Sequence, residues 1–405
     1  MKQFICILVI SALLCSCAEV PENLQNESRA KNNSPVVEHG VENFVFDKLP
    51  LSEINSDAAA TINKSYTQFE FAPRVSVSVP ENIDLYDFKQ VENYNSDPGA
   101  VMEHFFDSTT VASHEFSIND DAGLDMQNYA IFNEEGKLYG AVGGNGFISF
   151  LKPSAYSNSF APGKKLKVYD LLSDGNFSDS YQLADKSVTV QEAADTALKW
   201  LEESYASLEP EYKFRITTVI VRETELGEIK LDIYAEKLLG DIPLNSLCFD
   251  KDTETHRVIG TTSVIYMQMF RSDEIGSLTN GTGMLIPEKG EQILEIIPLS
   301  EVMNYIEATF TDFNSKETIS SVKLIYTMQP IYTKDDPESD YLQVYYDEGM
   351  EFKGNLVWQL ALDFPENIIE KNPELADSGN IKKYIQVDAL TGEMHFEFDL
   401  NALIQ

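Results

Sequence analysis

The sequence predicts an α+β fold made of tandem modules, in each of which one helix packs on an antiparallel sheet. The first observation is an order of elements that occurs twice. An amphipathic helix near residue 190 is followed by strand-like segments, and about a hundred residues later a second helix and further strands follow. The second observation is the alternation of apolar and polar residues in those segments, which is the period of a half-buried strand. A helix and a sheet with one apolar face each bury those faces against one another, which gives the α+β class.

An N-terminal α+β module is expected over residues 68–165. Residues 74–79 alternate apolar and polar side chains, which predicts a strand. Asp97 before Pro98 is typical of a helix start, and we expect a short helix through residue 106. A small antiparallel meander is predicted at residues 128–132, 138–142 and 147–151. The glycine-rich segment 143–146 is interpreted as a turn, because a phosphate-binding loop would need a Lys-Ser/Thr pair and a helix after it.

The next module is expected over residues 166–285 and opens with the capping-box pattern Thr189-Val190-Gln191-Glu192. The helix that follows has one apolar face, made by Ala193, Ala194, Ala197, Leu198, Leu201 and Tyr205. We expect strands after it at residues 214–222, 229–235 and 247–250, the last together with 258–259.

The last module, residues 286–405, repeats this order. Ser300 is predicted to cap a helix whose apolar face holds Val302, Met303, Ile306 and Phe310. Strands are expected at residues 322–328, 342–346, 356–362 and 384–387, and the last strand turns at 388–393 and resumes at 394–398.

Two segments resemble PepSY-type domains. Residues 188–198 are similar to the opening helix of such a domain. Residues 384–393, with the turn Asp388-Ala389-Leu390-Thr391-Gly392-Glu393, are similar to its closing hairpin. The architecture also resembles uncharacterised bacterial lipoproteins and, more distantly, the envelope regulators YycH and YycI. The resemblance implies an envelope module that binds or restrains another protein, and the matched segments hold no catalytic group.

The N-terminus has the pattern of an export signal. Lys2 precedes an apolar run over residues 4–14, which is too short for a membrane span of about 20 residues. The run ends in Leu14-Cys15-Ser16-Cys17, which resembles the lipobox of bacterial lipoproteins. That resemblance implies a covalent lipid on Cys17, a signal peptide over residues 1–16 and an extracytoplasmic protein held to a bacterial membrane by its N-terminal lipid. An ordinary secretory signal is the alternative.

The segment 17–67 is rich in Glu, Asn, Ser and Pro and is predicted to be a flexible tether. The formal charge of −36 repels phosphate, so we expect no nucleic acid partner. It also repels anionic lipids, so the acyl chain would hold the protein to the membrane.

After signal removal only Cys17 and Cys248 of the 4 cysteines remain, and Cys248 is interpreted as a buried apolar thiol.

The sequence contains no pattern typical of an enzyme. The five histidines, His39, His104, His114, His256 and His395, do not pair at metal-ligand spacing, and no Gly-x-Ser-x-Gly elbow is present. The acidic segments 119–125 and 335–340 are interpreted as solvated loops, with calcium binding as the alternative. We therefore expect no catalytic residues, no resident metal and no cofactor other than the lipid.

Aromatic residues supply the remaining candidate site. Tyr341, Tyr345 and Tyr346 lie beside acidic residues and are interpreted first as ordinary sheet packing, with an exposed platform for a sugar or a partner protein as the alternative. The preferred hypothesis is a non-catalytic, lipid-anchored envelope protein that binds another protein in a protein-binding or regulatory role. The alternative hypothesis is a solute- or glycan-binding lipoprotein with its site in a cleft between modules, and a hydrolase is the third.

Overall fold

The computed structural model describes residues 44–91, 104–105, 112–118, 126–132, 138–143, 146–152, 163–172, 175–249, 258–259, 265–280, 283–310, 316–330, 351–362 and 383–397. Within these ranges the protein is rich in strands and has few helices. Three α-helices of 11 residues lie within these ranges, α1 (Leu51–Thr61), α2 (Val190–Trp200) and α3 (Leu299–Thr309). A π-helical turn, Leu201–Tyr205, continues α2.

The strands are, in chain order, β1 (Leu49–Pro50), β2 (Phe69–Phe71), β3 (Ile83–Gln90), β4 (Ala112–Ile118), β5 (Met126–Phe132), β6 (Leu138–Gly143), β7 (Ile148–Leu151), β8 (Lys164–Asp170), β9 (Ser180–Gln182), β10 (Ser187–Thr189), β11 (Lys213–Glu223), β12 (Ile229–Leu239), β13 (Ile242–Phe249), β14 (Val258–Ile259), β15 (Ile265–Arg271), β16 (Glu274–Asn280), β17 (Leu285–Ile293), β18 (Glu295–Ile296), β19 (Glu317–Pro330), β20 (Glu351–Leu362), β21 (Lys383–Asp388) and β22 (Met394–Glu397).

One large sheet is antiparallel throughout. Its strands lie in the order β4, β5, β6, β7, β16, β15, β12, β11, β8. The consecutive strands β5, β6 and β7 are the meander that the sequence predicts, which is confirmed. The turn predicted for residues 143–146 is supported by two hydrogen bonds at its ends, since the Gly146 N–H donates to the Gly143 oxygen and the Gly143 N–H to the Phe147 oxygen.

The second large sheet is mixed. The antiparallel pair β19 and β20 forms its centre. On the outer side of β19, β2 and β13 pair in parallel with opposite ends of that long strand. On the outer side of β20, β21 and β3 pair antiparallel with opposite ends, and β22 and β17 follow. A hairpin between β12 and β13 connects the two sheets.

The strands of the mixed sheet come from distant parts of the chain. β2 and β3 belong to the predicted N-terminal module, β13 to the predicted middle module and β19 to the last one, yet they share one sheet. The sheets therefore cross the boundaries expected at residues 68–165, 166–285 and 286–405. Strand pairing over long sequence separations joins these segments, and local patterns carry no information about it.

The main core lies on the face of each sheet that is covered by a helix. Ala193, Ala194 and Ala197 of α2 are buried on the antiparallel sheet, and the Tyr205 ring lies 5.7 Å from the ring of Phe214. On the mixed sheet, the indole N–H of the fully buried Trp358 donates to the Ile297 oxygen at 2.8 Å, directly before α3.

The predicted capping box at the start of α2 is confirmed. The Glu192 N–H donates to Thr189 Oγ1 at 3.1 Å, and the Thr189 N–H donates to Glu192 Oε2 at 2.7 Å. The predicted cap of α3 is wrong, because the helix begins at Leu299 after Pro298 and Ser300 lies inside it. Asp57 of α1 takes that role across the interface, where its Oδ2 accepts the Ser300 N–H at 3.0 Å.

The tether predicted for residues 17–67 is wrong in its last part. α1 buries Leu51, Ile54 and Ala58 and packs against α3, so the chain is folded well before residue 68. The strand predicted at residues 74–79 is wrong as well, since that segment is irregular. Its last residue, Val79, exchanges both backbone hydrogen bonds with the Asn55 side chain at 2.8 Å each, and this amide replaces a strand partner.

Several contacts tie the N-terminal segment to the C-terminal part of the chain. β1 pairs with β18, and the Leu51 N–H donates to the Leu294 oxygen at 3.2 Å. The Glu307 carboxylate on α3 accepts three successive backbone N–H groups, those of Thr67, Gln68 and Phe69, at 3.0, 2.7 and 3.2 Å. The segment before β2 is thereby held on α3 by charge-assisted hydrogen bonds.

Candidate functional site

The antiparallel sheet has a polar face opposite its helix. In β12, Leu231, Ile233 and Ala235 are buried in the main core. Because successive strand side chains point to opposite faces, Lys230, Asp232, Tyr234 and Glu236 project from the other side. Arg222 of β11 and Tyr266 and Gln268 of β15 lie opposite them in register. We call this surface, formed by Arg222, Lys230, Asp232, Tyr234, Glu236, Tyr266 and Gln268, the polar face.

Asp232 is the centre of the polar face. The Arg222 Nε–H donates to Asp232 Oδ2 at 2.5 Å, and the Gln268 amide donates to Oδ1 at 3.1 Å. Lys230 Nζ lies 3.9 Å from Oδ1. Burial lowers the pKa of Lys230 from its ordinary value, and the Asp232 charge opposes this shift. A buried carboxylate with these cationic and amide partners is held in one position.

Two tyrosines cover this centre. Their rings, Tyr234 and Tyr266, lie 5.1 Å apart between centroids with a tilt of 41°. The Gln268 amide also donates to the Tyr266 hydroxyl at 2.6 Å, and Ser277 Oγ donates to Gln268 Oε1 at 3.0 Å. Burial, and then the Asp232 charge, raise the pKa of Tyr234 to about 12, and the same two causes raise the pKa of Tyr266 well above its ordinary value. Both phenols therefore stay protonated at neutral pH.

Glu236 connects the polar face to the mixed sheet. Its Oε1 accepts the Arg215 Nε–H at 2.7 Å, and Lys323 Nζ of β19 lies 3.9 Å from Oε2. From Lys323, two glutamines continue the polar surface in register across neighbouring strands, Gln359 of β20 and Gln386 of β21. We call Lys323, Gln359 and Gln386 the amide row. Side chains directly opposite one another on antiparallel strands lie about 5 Å apart at Cβ.

The outer edge of β8 is the second notable surface. Among the strands that the structure describes, only β11 pairs with β8. In this strongly acidic chain, β8 carries Lys164, Lys165 and Lys167 around Leu166, which is 44% exposed. Lys167 Nζ donates to Asp179 Oδ2 at 2.6 Å, and this hydrogen bond raises the pKa of Lys167. The lysine therefore stays charged at neutral pH.

A third polar cluster is buried under the π-helical turn. Lys237 Nζ lies 2.7 Å from Glu209 Oε2, and the Tyr205 hydroxyl donates to the same carboxylate at 2.8 Å. Asn280 donates to the Tyr205 hydroxyl at 2.9 Å and to the Gly146 oxygen at 3.0 Å. Both members of the ion pair are almost inaccessible to solvent. This cluster fixes the turn against the sheet and offers no surface to a ligand.

Several residues that the sequence singles out lie outside the described ranges. Cys17, Tyr341, Tyr345 and Tyr346 lie outside the described residues, as do the acidic segments 119–125 and 335–340. Cys248 lies in β13, where its side chain is not described.

The predicted helix over residues 98–106 is described only at His104 and Phe105, which are helical. The His104 Nε2 contacts the Ser204 oxygen, and the Phe105 ring stacks on Trp200 at 5.9 Å. Within the described ranges no group of three or more His, Cys, Asp or Glu side chains could hold a metal ion.

Sequence reasoning missed the polar face, although part of the signal is present. Residues 230, 232, 234 and 236 are Lys, Asp, Tyr and Glu, in strict alternation with apolar residues. That pattern predicts a strand with one polar face. The partners Arg222 and Gln268 lie on other strands, and only the register of the folded sheet brings them to Asp232.

In the part of the chain described, no helix is both long and apolar enough to cross a bilayer. No family model matches the chain. No curated protein matches it either.

Two solved structures are similar to this chain. One is an uncharacterised protein from Eubacterium rectale, with 11% identity and a TM-score of 0.46 over 85% of this chain and 99% of the other. The other is the YpeB C-terminal domain of Bacillus megaterium, with 11% identity and a TM-score of 0.24 over 76% of this chain and 97% of the other. At these scores neither likeness carries an argument about function.

Proposed function

We propose that the protein is a non-catalytic, lipid-anchored protein of the cell envelope whose folded part binds another protein. The lipobox-like segment ending at Cys17 supports the anchor and the extracytoplasmic location. The resemblance of the helix at residues 188–198 and the turn at 388–393 to PepSY-type domains supports a binding rather than a catalytic role.

The observation that carries the proposal is the outer edge of β8. A strand edge displays backbone N–H and C=O groups that can pair with an extended segment of a partner. The Leu171 N–H donates to the Thr217 oxygen at 2.8 Å, in the ladder with β11. Because N–H directions alternate along a strand, the Tyr169 N–H also points to β11 and the Val168 N–H points outward.

The charge of this edge specifies the kind of partner. Three lysines lie within the 7 residues of β8, whereas the whole chain carries 66 acidic and 30 basic residues. An acidic extended segment would be repelled by most of the surface and attracted to β8. Electrostatic complementarity of this kind favours correct encounter and register. The partner segment is therefore expected to be extended and acidic, with an apolar residue placed to contact Leu166.

Cross-linking in intact cells, followed by pull-down and mass spectrometry, tests this proposal. Val168→Pro removes an outward donor without removing a hydrogen bond to β11, and it should abolish the cross-linked partner. Simultaneous reversal of Lys164, Lys165 and Lys167 to Glu should do the same. A matched control reverses three exposed lysines elsewhere, Lys48, Lys186 and Lys213.

The control should retain the partner, and all variants should melt at temperatures near that of the unmodified protein. Retention of the partner by Val168→Pro would exclude strand addition at β8. Retention by the triple β8 variant would mean that the lysines only prevent self-association of an edge strand. Recovery of nothing but abundant lipoproteins by the unmodified chain would refute the proposed function.

The polar face favours a second candidate function, recognition of a glycan. The partly exposed Tyr234 and Tyr266 rings lie beside carboxylate, guanidinium and amide groups that are fixed by hydrogen bonds, a combination suited to the faces and hydroxyls of a sugar. Oligosaccharides should raise the melting temperature of the protein, and Tyr234→Ala should remove that rise. Tyr86→Ala is the control, since Tyr86 is a half-exposed tyrosine that packs 5.6 Å from Tyr326 in the mixed sheet. Equal responses of the two variants would exclude the polar face as the glycan site.

A further inference from the structure

The amide row has unpaired polar atoms in its buried part. Exposure falls along the row, from 32% for the Lys323 side chain to 8% for Gln359 and 0% for Gln386. Among the residues that the structure describes, neither the amide oxygen nor the amide nitrogen of Gln386 has a hydrogen-bond partner, and Gln359 Nε2 also lacks one. Buried side-chain amides are nearly always paired in folded proteins, so three unpaired atoms on two adjacent residues require an explanation.

The two glutamines cannot satisfy one another. Even a reciprocal pair, in which each amide donates to the oxygen of the other, would leave one N–H of each Nε2 group without an acceptor. Gln268 on the antiparallel sheet shows the usual arrangement for comparison. It is equally buried, and its amide contacts Asp232, Tyr266 and Ser277. Gln268 thus shows that a glutamine buried to this degree in the same protein can have both ends of its amide paired.

We propose that the amide row binds a ligand through a secondary amide group. Such a group is trans, so its carbonyl oxygen and its N–H point in opposite directions. Its carbonyl oxygen accepts a hydrogen bond from Gln359 Nε2, and its N–H donates to Oε1 of Gln386. The ligand reaches the row from the Lys323 end, where the side chain is partly exposed. Secondary amides of this kind come from two sources, the peptide bond and the acetamido group of an N-acetylated sugar.

This site is separate from the β8 edge, and its test does not depend on the proposed function. The row lies on β19, β20 and β21 of the mixed sheet, whereas β8 borders the antiparallel sheet. Val168→Pro leaves the row intact, and changes in the row leave the β8 edge intact. Failure of one proposal is therefore distinguishable from failure of the other.

The experiment measures the melting temperature of the full chain in detergent with four small probes. N-acetylglucosamine and a peptide capped at both ends carry a secondary amide, and glucosamine and glucose do not. Either amide probe should raise the melting temperature progressively, with the logarithm of its concentration once the site is near saturation, and the two probes without the amide should not. A response to the sugar alone, or to the peptide alone, identifies the source of the amide.

Gln386→Met keeps the length of the side chain and removes its polar atoms. This variant should bind the amide probes at least tenfold more weakly and should melt no lower than the unmodified protein without ligand. Gln182→Met is the control, because Gln182 forms its hydrogen bonds with Leu183 and Ser187 in the separate β9–β10 pair; this variant should still respond to the probes. Absence of any response to the amide probes, or equal binding by Gln386→Met, would overturn the proposal.

Discussion

A substitution of Gly392 tests how the C-terminal hairpin is held against the N-terminal segment. Gly392 lies in the turn after β21, with φ of +76° and its N–H donating to the Asp388 oxygen at 2.9 Å. A Cβ placed on Gly392 would lie 2.0 Å from Cε2 of Phe46. Gly227 offers a matched control, because its φ is +77° and no atom lies within 4 Å of its added Cβ.

The expected magnitudes follow from these two environments. An alanine at positive φ costs roughly 1–2 kcal/mol at either site. At Gly392 the alanine must also displace Phe46, whose ring lies 5.2 Å from Tyr305 and 4.8 Å from Phe44. Each such aromatic pair contributes about 0.5–1.5 kcal/mol. Gly392→Ala should therefore lower the free energy of unfolding by about 1–3 kcal/mol more than Gly227→Ala.

Urea denaturation, followed by tryptophan fluorescence and by circular dichroism, measures this difference. The same two substitutions made in a Phe46→Ala background complete a double-mutant cycle, because removal of the ring removes its steric clash with the Cβ added at position 392. In that background Gly392→Ala should cost no more than Gly227→Ala. Equal losses for the two glycines in the unmodified chain, or an unchanged loss for Gly392→Ala without Phe46, would refute the contact between this turn and Phe46.

Three further predictions concern other parts of the molecule. Glu209→Gln should lower the free energy of unfolding by about 3–5 kcal/mol, because it leaves the buried Lys237 ammonium without a carboxylate; a loss below about 1 kcal/mol in urea denaturation would contradict a buried ion pair. Hydrogen bonds from Ser272 lower the pKa of Asp185 to about 2, so this carboxylate stabilises the folded state above its unfolded pKa near 3.8 and that contribution disappears as the pH falls towards 2. Ser272→Ala should shift the Asp185 titration upward in an NMR pH series, and an unchanged midpoint would remove this assignment. Cys17→Ala should release a folded protein from the membrane fraction, and persistent sedimentation with membranes would refute the lipid anchor.

Features that depend on neighbouring residues could be predicted from the sequence. The capping box at Thr189 and Glu192 uses residues three positions apart, so its pattern is visible along the chain and the structure confirms it. The meander of β5, β6 and β7 is similar, because glycine-containing turns separate consecutive strands.

Features that depend on distant residues could not be predicted. α1 is short, has Pro50 at its N-cap without a side-chain cap and is stabilised by packing on α3, so its sequence is close to that of a polar linker. Asp57 caps α3 from 243 residues away, and no local pattern indicates that pairing.

The same distinction applies to the candidate surfaces. The alternation of Lys230, Asp232, Tyr234 and Glu236 indicates a polar strand face from sequence alone. The amide row could not be found this way, because Gln359 and Gln386 are isolated glutamines in apolar strands and only the register of β20 and β21 brings them side by side. The position of a strand edge such as β8 also depends on which strands remain unpaired after folding.

The attachment of the N-terminal segment has a mechanical consequence. Tension applied to the chain ahead of residue 44 would reach the body through Phe46 and the two-residue pairing of β1 with β18. Because the pairing of β1 with β18 is only two residues long, it would separate first and transfer the force to α1. There Asp57 and Glu307 join the two ends of α3 to the N-terminal segment. Tension on this segment would thus act on the C-terminal hairpin and α3 before it reached β8 and the antiparallel sheet.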